Sequence, residues 1–412
     1  MDELTFSSDK AHALLNLFLM NILFLSRWFP FPPNNGSKIR IYQLLRGLSQ
    51  FHDVTLLSFS DTPPPSSDTL QQNDICSSIH VVPWKPYNSQ SVKARLGFFS
   101  YLPRSLVDTY SSEMDALIRA TLRKGKYDLV IASQLTMASY LPSFRNVPAL
   151  FEEMELGSFY EQNSRKTSFS SRLRNRMSWF KLQMYIAHLL KRFNAGTVVS
   201  EMEFEIVKHN FPEYQEKIEI LPNGLDLREY KNVKRERRPR HLIFSGSFSY
   251  NANYYAMQWF IEKVYPLIMD QIPDVRLIIT GDHANKTLPS IKNVVLAGYV
   301  DDIKSLIASC DVSIAPIWSG GGTRLKILEA MALGTPVVAT IKGAEGLHAQ
   351  NGKHLLIGDD PNEFAEHVIK LLLNDDLRER VSSNAAQLVN NFYDWGIIMP
   401  TFLNLVEKTA TG

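Results

Sequence analysis

Short runs of apolar and β-branched residues recur along the first half of the chain, separated by stretches with helical spacing. Runs of this length between helical stretches are typical of buried strands in a parallel sheet that is covered on both faces. The runs that predict strands are NILFLS (21–26), DVTLLSF (53–59), SIHVVPW (78–84), YDLVIAS (127–133), PALFEEM (148–154) and AGTVVS (195–200). Helices are predicted between them, including segments 37–50 and 172–192.

The second half of the chain repeats this alternation. Its strand-like runs are HLIFSGS (241–247), VRLIITG (275–281), VVLAGYV (294–300), VSIAPI (312–317) and TPVVAT (335–340). Two successive sets of alternating strands and helices predict an α/β protein made of two doubly wound, Rossmann-like domains. The boundary is expected near ILPNGLDLREY (220–230), ahead of the charged and strand-poor segment 231–240.

From this boundary we expect an N-terminal domain over residues 20–222 and a C-terminal domain over residues 223–393. Residues 394–412 are interpreted as a C-terminal helix that returns to the first domain.

Length and composition agree with two globular domains. The chain has 412 residues, of which 45% are hydrophobic and 21% charged, and these values exclude a disordered class. A net charge of +2 gives little support to a nucleic-acid-binding protein. Cys76 and Cys310 lie far apart, with neither metal-ligand spacing nor a disulfide framework, so a reducing cytoplasm is expected.

The apolar stretch 11–25 raises the question of a signal peptide or a membrane anchor. Asp2, Glu3 and Asp9 precede it, which is the wrong charge for a signal peptide. The stretch is also shorter than a membrane-spanning helix. Residues 1–19 are therefore interpreted as an extension ahead of the first strand, and a membrane-surface helix stays open as the alternative.

The stretch SGGGTRLKILEAMALGTPVVAT begins at Ser319, directly after a predicted strand. Glycines 320–322 allow the backbone to turn sharply and to approach a ligand closely. A helix is predicted to begin near Thr323, and its unpaired N–H groups attract anions, phosphates above all. In open parallel sheets, ligands bind beyond the carboxyl ends of the strands, where these glycines are expected to lie.

Charged side chains follow the glycines. Arg324 and Lys326 add positive charge, and a lysine suits phosphate as a point charge. Glu329 lies on the same predicted helix, where its carboxylate is placed to accept hydrogen bonds from ribose hydroxyls. The order of strand, glycine turn, cations and carboxylate predicts a site for a nucleotide diphosphate. A glycine loop followed by a solvated basic face is the alternative.

These residues resemble the donor-site signature of the retaining glycosyltransferases of family 4, which have the GT-B fold. The resemblance extends over nearly the whole chain from Met20, and it includes transferases of bacterial exopolysaccharide and cell-envelope pathways. The segments that carry it are NILFLSRWFPFPPNNGSKIRIYQLLRGL, TVVSEMEFEIV, ILPNGLDLREY, FSGSFSYNANYYAMQWF, VVLAGYVDDI, GGTRLKILEAMALGTPVVAT, GAEGL and HLLIGDDP.

The resemblance implies two Rossmann-like domains that face each other across a cleft. It implies transfer of a hexosyl group, with retention of configuration, from a UDP- or GDP-linked donor. The acceptor would be a glycan, a lipid-linked molecule or a small molecule. No cofactor and no metal are expected.

Carried over to this sequence, the family signature implies a role for individual residues. Gly36 would approach the donor diphosphate from the first domain, and Gly246 and Ser247 would line the opposing wall. Tyr299 and Val300 would face the base.

The glycine-rich stretch has its own implied roles. Gly322, Thr323 and Lys326 would hold the phosphates, and Glu329 the ribose. Gly321 stands where many family members have a first glutamate, so contact with the sugar there would come from backbone groups or from elsewhere. The loop SGSFSYNAN lacks the cations that many relatives use, and Arg324 and Lys326 are expected to supply that charge.

A second candidate site is FEEMELGSFYEQ (151–162), where acids follow a predicted strand. Carboxylates there suit activation of an acceptor hydroxyl or stabilisation of positive charge on the sugar ring. Glu153 and Glu155, with Lys326, are the predicted catalytic residues. Which of Glu152, Glu153 and Glu155 faces the cleft stays open, and an exposed acidic turn is the alternative.

Two further features leave interpretations open. Asp301 and Asp302 follow GYV and are expected to cap a helix rather than to bind metal. Segment 165–192 holds eight Lys and Arg residues, interleaved aromatic residues and no acid. This pattern fits either a helix on an anionic membrane surface or a helix that packs on the first sheet with its charges solvated. Two other functions stay open for the chain: a nucleotide-sugar epimerase and a noncatalytic nucleotide-sugar-binding protein.

Overall fold

The structure is a computed structural model, and it describes residues 19–62, 75–157, 169–320 and 324–412. The predicted N-terminal extension therefore lies outside the described residues, except for Leu19, which is exposed. Among the described helices, none has both the length and the apolar character that crossing a bilayer requires.

Seven of the described strands form the first sheet. They are β1 (Asn21–Ser26), β2 (Asp53–Ser60), β3 (Ser78–Pro83), β4 (Leu129–Ser133), β5 (Ala149–Glu152), β6 (Ala195–Val198) and β7 (Ile218–Ile220). Their order is β3-β2-β1-β4-β5-β6-β7, and neighbouring strands are parallel. The centre of β1, Ile22 to Leu25, is fully buried because both faces of the sheet are covered.

Helices accompany these strands. They are α1 (Gly36–Leu48), α2 (Val92–Leu96), α3 (Arg104–Thr109), α4 (Ser112–Lys124), α5 (Gln134–Ala138), α6 (Leu141–Phe144), α7 (Phe169–Leu190) and α8 (Glu201–Asn210). Helix α1 begins after Asn35, whose side chain accepts a hydrogen bond from the backbone N–H of Lys38 at 3.0 Å. This contact satisfies one of the donors that a helix start leaves open.

Six described strands form the second sheet. They are β8 (Arg238–Ser245), β9 (Arg276–Thr280), β10 (Val294–Gly298), β11 (Cys310–Ala315), β12 (Val337–Ala339) and β13 (Leu356–Ile357). Their order is β10-β9-β8-β11-β12-β13, again with parallel neighbours. The helices are α9 (Asn251–Trp259), α10 (Tyr265–Gln271), α11 (Ile303–Ser309), α12 (Leu325–Ala332), α13 (Ile341–Ala344), α14 (Pro361–Leu373), α15 (Asp375–Phe392) and α16 (Trp395–Thr411).

The chain divides into two compact units. One runs to Leu221 and also includes residues 399–412, and the other comprises Pro222–Ile398. In the second unit, Leu242 and Phe244 of β8 belong to one apolar core, and Ile243 between them belongs to another. Side chains alternate across a strand, so the second sheet has a separate core on each face.

The predicted fold class is confirmed, because both sheets are parallel and doubly wound. Each predicted strand is present, with ends that differ by up to three residues. Strands β7 and β13 were not predicted, since three and two residues are too short to form an apolar run. In each sheet the strand order reverses beside the first strand of its unit, between β1 and β4 and between β8 and β11. Ligands of doubly wound folds bind at the carboxyl ends of such strands.

Candidate functional site

Lys326 lies at the point where the strand order of the second sheet reverses. It is the second residue of α12, which follows β11, and its side chain is half-buried. Its Nζ donates a hydrogen bond to Asn253 Oδ1 at 2.8 Å and lies 4.3 Å from the centre of the Phe244 ring. Burial lowers the pKa of Lys326 to about 7, the charge of Arg324 adds to this effect, and Glu329 opposes it. The site therefore contains an ammonium group that is close to losing its proton at neutral pH.

Asn253 connects this ammonium group to the turn that follows β8. Its Nδ2 donates to the backbone oxygen of Ser247 at 2.8 Å, while its Oδ1 accepts from Lys326. Lys326 also lies against Gly246, where an added Cβ would come within 2.9 Å of its Nζ. Gly246, Ser247 and Lys326, which were predicted from separate motifs, are thus brought together, and Asn253, which was not predicted, connects them.

Gly281, directly after the neighbouring strand β9, shapes the same turn. It has a φ of +100°, and an added Cβ would lie 2.8 Å from backbone atoms of both Gly246 and Ser247. The backbone N–H of Gly246 donates to Thr280 O at 3.2 Å, and Ser247 Oγ donates to Asp282 O at 3.0 Å. The two strand ends therefore pack backbone to backbone, and only glycine fits at position 281.

Arg324 precedes α12, is buried, and donates hydrogen bonds to two backbone oxygens. Its Nη2 donates to the backbone oxygens of Gly320 at 2.8 Å and of Lys342 at 3.0 Å. Burial lowers the pKa of Arg324, and the carboxylate of Glu345 opposes this effect. These contacts hold the turn after β11 against α13, so Arg324 supports the backbone beside Lys326.

Glu329 lies one helical turn beyond Lys326 and is half-buried. Tyr230 Oη donates to Glu329 Oε1 at 3.2 Å. Lys304 Nζ lies 4.5 Å from the centre of the Tyr230 ring and 2.6 Å from Glu229 Oε2. Burial raises the pKa of Glu329, whereas the Tyr230 hydrogen bond and the charges of Lys304 and Lys326 lower it.

Six other donor-site residues were predicted from the sequence. Gly321, Gly322 and Thr323 lie outside the described residues. Tyr299, which is 85% exposed, and the half-buried Val300 follow the edge strand β10. Gly36, in the first unit, is the half-buried first residue of α1. Their predicted contacts with a donor stay predictions.

The acids of the first unit lie at the carboxyl end of β5, and the first of them forms an ion pair. Glu152 is fully buried and accepts from Arg40 Nε at 2.6 Å and from Ser133 Oγ at 2.6 Å. Arg40 Nη1 also donates to Leu221 O at 3.0 Å. Burial alone would lower the pKa of Arg40, but the carboxylates of Glu152 and Glu153 outweigh it and raise that pKa.

Glu153 and Glu155 lie beside this ion pair in different surroundings. Glu153 is buried, and its Oε2 accepts from Gln134 Nε2 at 3.1 Å. Burial raises the pKa of Glu153 well above its ordinary value, as do the charges of Glu152 and Glu155, while Arg40 opposes them. Glu155 is exposed, yet partial desolvation of its carboxylate and the charges of Glu203 and Glu152 raise its pKa to about 7, and Arg40 opposes them.

The backbone of this segment is also unusual. Gln134, Glu153 and Glu155 have φ values of +67°, +54° and +49°, in the left-handed region that residues with a Cβ seldom adopt. Such conformations cluster at functional sites. An exposed acidic turn, the alternative interpretation, describes Glu155 but not the buried Glu152 and Glu153.

Metal-binding patterns receive no support from the part of the chain that the structure describes, since it contains no group of three or more His, Cys, Asp or Glu side chains arranged to hold an ion. The prediction that Asp302 caps a helix is confirmed, because its side chain accepts from the backbone N–H of Ser305 at 3.0 Å, at the start of α11.

Two family models match successive parts of the chain. Residues 34–229 match the model described as Glycosyltransferase Family 4, and residues 239–374 match the model described as Glycosyl transferases group 1. An uncharacterized 44.6 kDa protein in the cps region of Klebsiella pneumoniae is 22% identical over 391 residues, which is 91% of this chain and 97% of that protein.

A named relative and a solved structure add to these matches. The phosphatidyl-myo-inositol mannosyltransferase of Mycobacterium leprae is 29% identical over 204 residues, covering 46% of this chain and 54% of that protein. The crystal structure of Anabaena HepE in complex with UDP and glucose superposes with a TM-score of 0.62 at 17% identity, covering 94% of this chain and 100% of that one. The two family matches and the two Rossmann-like sheets identify the chain as a glycosyltransferase of the GT-B fold.

Proposed function

We propose that this glycosyltransferase transfers a hexosyl group from a UDP- or GDP-linked donor, with retention of configuration and without a metal ion. The observation that carries the proposal is the half-buried ammonium group of Lys326, held by a neutral amide at the reversal point of a doubly wound sheet. Such a cation, beside a turn shaped by glycines, suits a diphosphate. The similar structure of HepE contains UDP and glucose, which supports the same class of donor here.

In this proposal each donor group has its own partner in the second unit. Lys326 neutralises the diphosphate together with the backbone N–H of Ser247, and Gly246 lets the backbone approach it closely. Glu329, with Tyr230 as its hydrogen-bond donor, accepts hydrogen bonds from the ribose. Tyr299 and Val300 contact the base.

The proposed reaction breaks the bond between the anomeric carbon and the diphosphate oxygen, and the bonding electrons leave with the diphosphate. The acceptor hydroxyl forms the new bond on the same face of the sugar and releases its proton. Because negative charge grows on the departing diphosphate, a fixed cation stabilises the transition state more than the ground state. Lys326 supplies that charge in the absence of a metal ion.

The acids of the first unit serve the acceptor side in this proposal. A carboxylate whose pKa is near the working pH is well suited to accept a proton from a hydroxyl group, and the pKa of Glu155 is raised to about 7. Glu153, the other predicted catalytic acid, stabilises positive charge on the sugar ring only in its ionised form, which its raised pKa disfavours. A glycan, a lipid-linked molecule and a small molecule are the proposed classes of acceptor, and the name of the M. leprae relative supports the lipid-linked class.

A direct test is to screen UDP- and GDP-linked hexoses for slow hydrolysis by the whole chain in the presence of EDTA. One donor should be hydrolysed faster than the others, and proton NMR should show that the released sugar first has the anomeric configuration of the donor. Release of the opposite anomer would contradict retention, and loss of activity with EDTA that added magnesium or manganese restores would contradict metal independence. Conversion of the donor into an epimer would indicate an isomerase instead.

A further inference from the structure

Helix α7 is apolar on two opposite faces. Leu182, Tyr185, Ile186, Leu189 and Leu190 are buried in the core of the first unit. Large apolar side chains on α7 are also exposed to solvent. These are Leu173, Met177, Phe180 and Met184.

The exposed side chains form one stripe. At about 100° per residue, the four lie within about 60° of one another and roughly half a turn from the buried face. We call them the outer stripe. A helix that already buries one apolar face in its own core does not need a second, so the outer stripe indicates contact with something outside the unit.

A loop beside α7 extends this apolar surface. Phe98, Phe99 and Tyr101 follow α2 and are exposed, with Phe99 at 89%. Lys181 of α7 holds the loop in place, because its Nζ donates to the backbone oxygens of Phe98 and of Ser100, the latter at 2.9 Å. The outer stripe and this aromatic loop together form the docking surface.

Charge indicates what covers the docking surface. Segment 165–192 has eight cations and no acid, and the exposed Arg174 and Arg176 are placed by the helical repeat on opposite flanks of the outer stripe. Association with a second copy of this chain through the same surface would bring these cations together. An anionic bilayer offers acyl chains to the stripe and phosphates to the arginines.

We propose that the docking surface binds the surface of an anionic lipid bilayer, with the axis of α7 parallel to the membrane. The outer stripe and the rings of Phe99 and Tyr101 enter the boundary between headgroups and acyl chains, and Arg174 and Arg176 contact lipid phosphates. This binding is independent of the identity of the sugar donor.

Flotation of the whole chain with lipid vesicles tests the proposal. Vesicles of phosphatidylcholine mixed with phosphatidylglycerol should carry the protein upward, and vesicles of phosphatidylcholine alone should carry much less. Phe99→Ser/Phe180→Ser should weaken binding by about tenfold or more, since two apolar side chains no longer enter the lipid. Arg174→Gln/Arg176→Gln should weaken it by about 25-fold at low salt, from about fivefold for each cation.

Matched controls on the second unit distinguish binding through the docking surface from nonspecific binding to vesicles. Leu373 is 63% exposed, close to the 61% of Phe180, and Leu373→Ser should float like the wild type. Arg380→Gln/Lys353→Gln removes two exposed cations elsewhere and should have little effect. A second readout does not depend on loss of binding. The tryptophan introduced by Phe180→Trp should be quenched by brominated lipids, whereas the tryptophan introduced by Leu373→Trp should not be quenched.

The proposal is overturned if the wild type fails to float with anionic vesicles, or if the surface variants bind as tightly as their controls. It is also overturned if sedimentation velocity shows a dimer that Phe180→Ser dissociates while flotation is unchanged, because a second copy would then be the occupant.

Discussion

Lys326 and Asn253 stand 73 positions apart in the sequence, yet their side chains form a hydrogen bond of 2.8 Å between Nζ and Oδ1. The partner of this ammonium group is thus a neutral amide rather than a carboxylate. A neutral partner orients the charge without cancelling it, so the charge stays available to an anion. Burial and the charge of Arg324 together outweigh the carboxylate of Glu329 and lower the pKa of Lys326 to about 7.

Removing the ammonium group should impair the chemical step more than donor binding. We expect Lys326→Ala to lower kcat about 10²-fold, by analogy with the loss of one oxyanion-hole donor, and to change the donor KM less. Steady-state kinetics would measure both. Lys370→Ala removes an exposed lysine of α14 and serves as the control. Native kcat in Lys326→Ala would remove this residue from the mechanism.

Arg324→Ala should act through stability instead. Its guanidinium group donates to two backbone oxygens beside the glycine turn, and each hydrogen bond to a charged group contributes about 1.5–3 kcal/mol. Thermal unfolding should therefore begin at a lower temperature in Arg324→Ala than in Lys326→Ala. The reverse order, with Arg324→Ala stable but inactive, would assign the phosphate to Arg324.

The pH dependence of kcat/KM should report the titration of Lys326 in the free enzyme. With a pKa of about 7, the charged form is lost as the pH rises, so kcat/KM should fall about tenfold for each pH unit above that value. In Asn253→Asp a carboxylate replaces the amide, and the fall should begin about 1–3 units higher. In Asn253→Leu, the pH at which kcat/KM begins to fall should not rise. Identical profiles for Asn253→Asp and the wild type would show that another group titrates.

Nucleotide binding should depend on Glu329. Isothermal calorimetry with nucleoside diphosphate should show that Glu329→Ala weakens binding by about 1.5–3 kcal/mol, as expected for hydrogen bonds to a charged group. Tyr230→Phe removes the hydroxyl that donates to Glu329 and should weaken binding less. Glu379→Ala removes an exposed acid of α15 as the control. Unchanged affinity in Glu329→Ala would exclude this residue from the site.

Glu153 should make the first unit less stable at higher pH. Its folded pKa lies well above the ordinary value, so the unfolded chain releases this proton at lower pH than the folded chain does. Stability is therefore complete below the unfolded pKa and declines as the pH rises toward the folded pKa, by about 1.4 kcal/mol for each unit of difference. Glu153→Gln is permanently neutral and should remove this decline.

Urea unfolding of the wild type and of Glu153→Gln would measure the effect. The variant should be the more stable of the two at about pH 8, and the difference should shrink toward about pH 4. Glu219→Gln, an exposed position on β7, serves as the control. A variant that is less stable at both pH values would mean that the Glu153 carboxylate is ionised and stabilising in the folded protein.

The fold could be predicted because burial of both sheet faces makes each of the longer strands a visible apolar run, whereas the short strands β7 and β13 leave no such run. Lys326 and Glu329 could also be predicted, since they share one short helix behind a glycine turn. Their partners Asn253 and Tyr230 could not, because they are 73 and 99 positions away and only tertiary packing brings them near. Arg40 could not be predicted as the partner of Glu152 for the same reason, because the two are 112 positions apart.

The different surroundings of Glu152, Glu153 and Glu155 also could not be predicted from the sequence. Alternation along β5 would predict that Glu152 and Glu153 point to opposite faces of the sheet. Register pairs Glu152 with Ser133, whose hydroxyl donates to the Glu152 carboxylate. The left-handed φ of Glu153 then ends the alternation of side chains between the two faces. No sequence pattern predicts that a glutamate adopts this conformation.

The backbone contact of Gly281 with Gly246 and Ser247 limits which positions can be varied when the enzyme is altered by directed evolution. A methyl group at position 281 has no room, since the nearest atoms belong to main chain, so most library members altered there would lose the turn itself. Gly298 has open space around it, and Tyr299 beside it is almost fully solvated. Because Tyr299 and Val300 are the proposed contacts with the base, libraries that seek an enzyme for a different nucleotide base should vary positions 299 and 300 and keep position 281 fixed.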